Sequence, residues 1–138
     1  MPTIDYQQDG TQHEYEATTY TLMVYEQEFK SDLIKDVFGL IDLRKGASMI
    51  DEDGNIILAD YTNDNWTNEL KAFWAMLKTS EAIARRENRR AESVPSFVTW
   101  CLTTKSINMH EVSFATITEL NRGLFRAGTT EAEEAAAE

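Results

Sequence analysis

Asn65-Trp-Thr-Asn-Glu-Leu-Lys-Ala-Phe-Trp-Ala-Met-Leu-Lys-Thr79 places Trp66, Leu70, Phe73, Trp74 and Leu77 at offsets i, i+4, i+7, i+8 and i+11. That spacing gathers five large apolar side chains on one face of a helix. The opposite face, Thr67, Asn68, Lys71 and Lys78, is polar. Burying side chains of this size is worth roughly 2–3 kcal/mol each by area, so this helix is expected to organise a core. Asp64 or Asn65 supplies an oxygen for its N-cap. Nothing along it has metal-ligand or acid–base spacing, so it reads as a helix built to pack.

The flanking segments extend the helical pattern. Thr18 or Thr19 can cap a helix through Tyr20–Phe29, with Leu22, Tyr25 and Phe29 on one face. Ser31 suits the cap of a short second helix, Asp32–Phe38, and Gly39 the left-handed residue that closes it. Between them and the central helix, Ala47-Ser-Met-Ile50 and Asn55-Ile-Ile-Leu-Ala59 flank Asp51-Glu-Asp-Gly54. Two apolar runs around a Gly-containing turn predict a β-hairpin near 47–61. Downstream, Pro95 suits the first position of a helix over Pro95–Leu102. Asn108 with Glu111 resembles a capping box for a last helix carrying Val112, Phe114, Ile117, Leu120 and Leu124 and ending around Gly128.

The resulting expectation is a mainly α fold, a compact bundle of about four or five helices with an inserted β-hairpin. One domain spans 18–128. Residues 1–17 form an N-terminal arm, loose over 1–11, with a short strand at His13–Ala17, and 129–138 form a disordered acidic tail. Tyr25, Phe29, Trp66, Leu70, Phe73, Trp74, Leu77, Phe97 and Trp100 are the expected core.

A chain of 138 residues is one domain by the usual prior. Its 42% hydrophobic content is that of a globular chain rather than a disordered one. The lone cysteine, Cys101, excludes an internal disulfide and suits a reducing compartment. No apolar run approaches the roughly 18–20 residues that span a bilayer, and the first residues lack a secretion-signal pattern. A soluble protein of the cytoplasm is expected. The net charge of −11 argues against nucleic-acid binding, which draws its affinity from Lys and Arg.

Candidate chemistry is sparse. Asp51-Glu-Asp-Gly-Asn55 departs from a calcium loop, because Gly54 is fourth and Thr62 twelfth where such a loop needs Gly sixth and Glu twelfth. His13 and His110 lack a second ligand at zinc spacing. Cys101 could pair with His110 in space, but its place after Trp100 in an apolar helix points to a buried structural cysteine. Glu26 and Glu28 point to different faces. No catalytic, cofactor-binding or metal-binding residue is expected.

Arg85-Arg-Glu-Asn-Arg-Arg90 puts four arginines in six residues. Such a cluster can grip phosphate or an acidic protein surface. The simpler reading is a solvated helix extension or loop balanced by Glu81, Glu87 and Glu92, because no aromatics interleave as single-strand binders require. Arg85, Arg86, Arg89 and Arg90, with Leu124 and Phe125, are the candidate partner-binding residues. The cluster and the acidic tail carry opposite charges, which suggests self-association.

Several separated stretches resemble one family: Tyr25-Glu-Gln-Glu-Phe29 with Asp32-Leu-Ile-Lys-Asp-Val-Phe-Gly39; Asn65-Trp66 with Ala72-Phe-Trp-Ala-Met-Leu-Lys-Thr79; Pro95-Ser-Phe-Val-Thr-Trp100; and Gly123-Leu-Phe-Arg-Ala-Gly128. Together, in that order, they resemble the tail assembly chaperones of long-tailed bacteriophages and prophages of Gram-positive bacteria. The resemblance implies a non-enzymatic protein of the host bacterial cytoplasm. It would bind the tape measure protein, keep it soluble and help recruit tail tube subunits. No cofactor is expected, and the charge and hydropathy already argue against nucleic acid and membrane. Many members are made in two lengths, and this chain looks like the shorter. The Arg85–Arg90 stretch matches no family motif, and a small prophage DNA-binding regulator using it is the alternative.

Overall fold

The computed structural model describes residues 2–38 and 66–125. In chain order these form β1 (Thr3–Ile4), β2 (His13–Glu14), α1 (Thr19–Phe29), α2 (Leu33–Phe38), α3 (Trp66–Arg86), α4 (Phe97–Thr103) and α5 (Met109–Leu124). The described part is 63% helical, the mainly α class expected. Its two strands pair antiparallel, Thr3 opposite Glu14 and Ile4 opposite His13. The hairpin near 47–61, the Gly39 stop, the Asp64 or Asn65 cap, the helix end near Gly128 and the tail at 129–138 lie outside the described residues.

Local signals account for most helix ends. Thr18 caps α1, its hydroxyl accepting the Tyr20 amide at 3.1 Å while Thr21 Oγ1 accepts the Thr18 amide at 3.0 Å. Lys30, left-handed at φ 54°, ends the helix with its amide on the Glu26 carbonyl. The cap of α2 is Asp32, not Ser31: Asp32 Oδ1 accepts the Lys35 amide at 2.9 Å. Ser31 instead donates to Asp36 Oδ1 at 2.8 Å, beside the Tyr25 hydroxyl at 2.9 Å on Oδ2. Asn108 caps α5, accepting the Glu111 amide, but the expected capping box is only half made, because the Asn108 amide donates to the Tyr6 carbonyl instead of to Glu111. Pro95 precedes α4 rather than opening it, and its carbonyl accepts Trp74 Nε1–H at 2.9 Å.

The central helix differs from the one-faced expectation in two ways. Every residue from Ala72 to Leu77 is buried, because α1 and α2, β2 and α5 all pack on α3. The alanines and Thr79 let those neighbours approach from sides that a count of large residues calls polar. The helix also runs past Thr79 to Arg86, with Ser80 and Ala84 buried. At its other end Trp66 and Leu70 are half-buried, with the Trp66 ring edge-on to His110.

The arm is not loose. Tyr6 is 4% exposed, accepts Trp100 Nε1–H at 3.2 Å and meets Phe73 edge-on at 5.3 Å. Its carbonyl accepts the Asn108 amide, so the arm straps α3, α4 and the start of α5 together. Asp5 closes the turn that returns the chain, accepting the amides of Asp9 and Gly10. The Tyr15 amide still reaches the Pro2 carbonyl across the ribbon at 3.2 Å, but the two amides after it turn away. The Glu16 amide goes to the Met76 carbonyl and the Ala17 amide to the Glu119 carboxylate.

Of the apolar residues carried by α5, one faces outward. Phe114 is 67% exposed. The buried positions are Val112, Ala115, Thr116, Ile117, Glu119 and Leu120, and Phe114 sits roughly 200° around the helix from Val112.

Candidate partner-binding site

Arg85 and Arg86 lie in the last turn of α3, and a Schellman motif ends that helix. Asn88 is left-handed at φ 57°, its amide on the Arg85 carbonyl and the Arg89 amide on the Ala84 carbonyl at 2.8 Å. Arginines here complement the negative end of the helix dipole. Two of them also hold carboxylates: Arg85 pairs with Glu81 at 2.9 Å, and Arg89 with Glu87 at 2.7 Å and Glu14 at 3.4 Å. Exposed pairs of this kind are worth about 0–1 kcal/mol. Arg86 and Arg90 have no ion pair among the described residues and face solvent. Arg85 and Arg86 thus lie on the helix and Arg89 and Arg90 beyond its stop, where Arg89 ties that helix end to β2.

Below the cluster lies a cleft of about 540 Å³ with Tyr6, Leu77 and Trp100 among its lining residues and Glu14, Glu81 and Arg90 on it. Its charges are largely matched. Burial works against ionisation of Glu81, but the Val94 amide, Lys78 and Arg85 outweigh it and hold the carboxyl below its usual range. Glu92 sits 2.8 Å from Nδ1 of the buried His13.

Leu124 and Phe125 do not join the arginines in one surface. Both are half-buried, and Phe125 meets Phe38 edge-on at 5.6 Å. Asn68, in the first turn of α3, donates to the Asp36 carbonyl of α2 at 3.2 Å. These side chains thus belong to the end of α3 that is about 25 Å along the helix from the arginines.

The apolar surface is elsewhere. On α4, Val98 is 68% and Leu102 76% exposed, and Cys101 between them is exposed too. The buried-cysteine expectation for Cys101 is therefore corrected. Residues 97–102 are apolar on both sides of a short helix, and Phe97 and Trp100 take the inward one. What burial Cys101 has pushes its thiol pKa up, away from the thiolate that nucleophilic chemistry needs. Helical spacing could have found the outward stripe, since positions 98, 101 and 102 share a face that 97 and 100 do not.

No group of three His, Cys, Asp or Glu side chains among the described residues could hold a metal ion. No helix among them is long and apolar enough to cross a membrane.

Six of the nine expected core residues, Tyr25, Phe29, Phe73, Trp74, Phe97 and Trp100, form one aromatic assembly, and Trp66 lies outside it. Phe29 lies 5.6 Å from Trp74 and 4.9 Å from Phe97; Trp74 and Phe97 are 5.9 Å apart, and Phe97 and Trp100 6.1 Å. Tyr25 is fully buried beside Phe29, and Phe73 and Leu77 are buried on α3. Comparison with protein-family models, with curated proteins and with solved structures finds no match.

Proposed function

We propose that this chain is a tail assembly chaperone of a long-tailed phage or prophage. It binds the tape measure protein, keeps it soluble and helps recruit tail tube subunits in the host bacterial cytoplasm, without a catalytic step. The observation that carries this reading is the set of large apolar side chains left in water on an acidic domain. Val98, Leu102 and Phe114 are each more than half exposed on a chain of net charge −11. Apolar surface holds a partner's apolar segments, and the net charge keeps the complex in solution.

A second support is where the family-like stretches lie. Phe29, Trp74 and Phe97 come from three of them and meet in one aromatic cluster. Their order along the chain thus reflects one packed unit rather than unrelated helix ends.

Co-expression with overlapping fragments of the tape measure protein tests the proposal. At least one fragment that precipitates alone should stay soluble and co-purify with this chain, with no nucleotide or metal added. Failure with every fragment overturns it. Tight duplex-DNA binding that weakens steeply with salt would instead favour the regulator, although Arg85 and Arg89 already hold carboxylates.

A further inference from the structure

The outward face of α4 has no partner within the described fold, and its inward face is firmly anchored. Phe97 packs against Phe29 and Trp74, and Trp100 donates to the Tyr6 hydroxyl. Val98, Cys101 and Leu102, at i, i+3 and i+4, are thereby held in water on a helix that is fixed in orientation. A pre-organised apolar ridge loses little conformational freedom when it is covered.

We propose that this ridge docks one amphipathic helix of the partner polypeptide, with neutral or basic residues flanking its apolar stripe. The proposal rests on the chaperone reading and names the surface that reading uses. Size is the first argument. With seven residues, α4 is about 10 Å long, the width of one crossing helix. A folded domain interface needs roughly 800 Å² per partner, far more than this ridge offers.

Charge is the second argument. Residues 93–110 contain no Asp or Glu and one lysine, Lys105, within a chain of 24 acidic and 13 basic residues. An apolar helix can settle there without stripping water from a carboxylate. Basic flanks on that helix would be drawn to the acidic remainder of the domain, whereas a second copy of this chain would bring another net charge of −11 to the contact.

Cys101 is the lone thiol of the chain, so its alkylation reports directly on this face. The experiment uses the full chain, free and in complex with a tape measure fragment that it keeps soluble, and follows iodoacetamide labelling at mildly alkaline pH. With fragment at ten times its dissociation constant, labelling should slow by about tenfold. The double variant Val98→Ser, Leu102→Ser should keep the wild-type melting temperature, since both side chains are exposed, and should lose the fragment to the pellet. A fragment held equally well by the double variant, or labelling unslowed in the complex, overturns the docking face while leaving the chaperone reading intact. If the free chain labels slowly and sediments as a dimer, the face belongs to a second copy and the proposal is wrong. If the wild type holds no fragment, both readings fall.

Discussion

The Ala17 carbonyl oxygen occupies the space that a side chain at Gly123 would need; a Cβ placed there would lie 2.1 Å from it. One turn earlier on α5, Glu119 accepts the Ala17 amide at 3.0 Å and is itself gripped by Arg122 at 2.8 and 2.5 Å. The last helix therefore holds one residue of the N-terminal strap from both sides, by hydrogen bonding to its amide and by close approach to its carbonyl. This contact lets residues 15–18 pass between the ribbon and α1 without leaving the core.

Gly123→Ala should therefore destabilise the protein. In an exposed helix interior the same change helps by roughly 1 kcal/mol. Here the methyl would meet backbone, which cannot rotate away, and an overpacking cost of about 1–3 kcal/mol should dominate. Urea unfolding of the two proteins decides between them, and a variant more stable than the wild type would show that α5 and the strap can separate freely.

Phe73→Ala and Phe114→Ala should differ sharply although both remove the same ring from a helix. Phe73 is fully buried against Tyr6, Tyr15 and Trp100, and its loss should cost about 3–5 kcal/mol. Phe114 is 67% exposed, and its loss should stay within about 0.5 kcal/mol. Thermal melts compare the pair directly. Equal losses would place Phe114 in a packed core.

The helices were legible where large apolar residues repeat, and the caps Thr18 and Asn108 where a polar side chain precedes such a run. Periodicity is silent where small residues do the packing, so α3 reads as ending at Thr79, although Ser80 and Ala84 are buried to its last turn. It is equally silent for an isolated aromatic such as Tyr6, whose burial depends on Trp100 and Phe73, residues far away in the chain. The exposed apolar surface was the least legible part. Apolar identity marks Val98, Leu102 and Phe114 as buried candidates, and a core side chain and a partner-facing one have the same composition. The arginines stand out by charge, yet their backbone forms a helix stop and two of them pair with neighbouring carboxylates.

Glu81 should contribute stability that disappears in acid. Its folded-state pKa is held below the ordinary value of 4.5 because the Val94 amide, Lys78 and Arg85 overcome the burial that opposes it. The unfolded chain then binds the proton more readily, so the contribution is complete above 4.5 and is lost as pH falls through the folded value. Wild type should exceed Glu81→Gln in stability at pH near 7, and the gap should close on acidification. A gap that widens in acid would show that these partners do not favour the carboxylate.

Glu69 should behave in the opposite sense. It is 3% exposed in the face between α3 and α5, and burial raises its pKa above 4.5, with the Ser113 hydroxyl that donates to it opposing the shift in part. Between 4.5 and that raised value the folded state holds the proton more tightly than the unfolded chain. Its contribution is thus fully present below 4.5 and is lost as pH rises through the folded pKa. Glu69→Gln keeps the shape and an acceptor for Ser113 while removing the buried charge. The variant should be more stable than the wild type near neutral pH and indistinguishable from it below 4.5, measured by urea unfolding at both. A variant that is weaker at neutral pH would mean that a cation reaches this carboxylate in solution, and that burial does not dominate its titration.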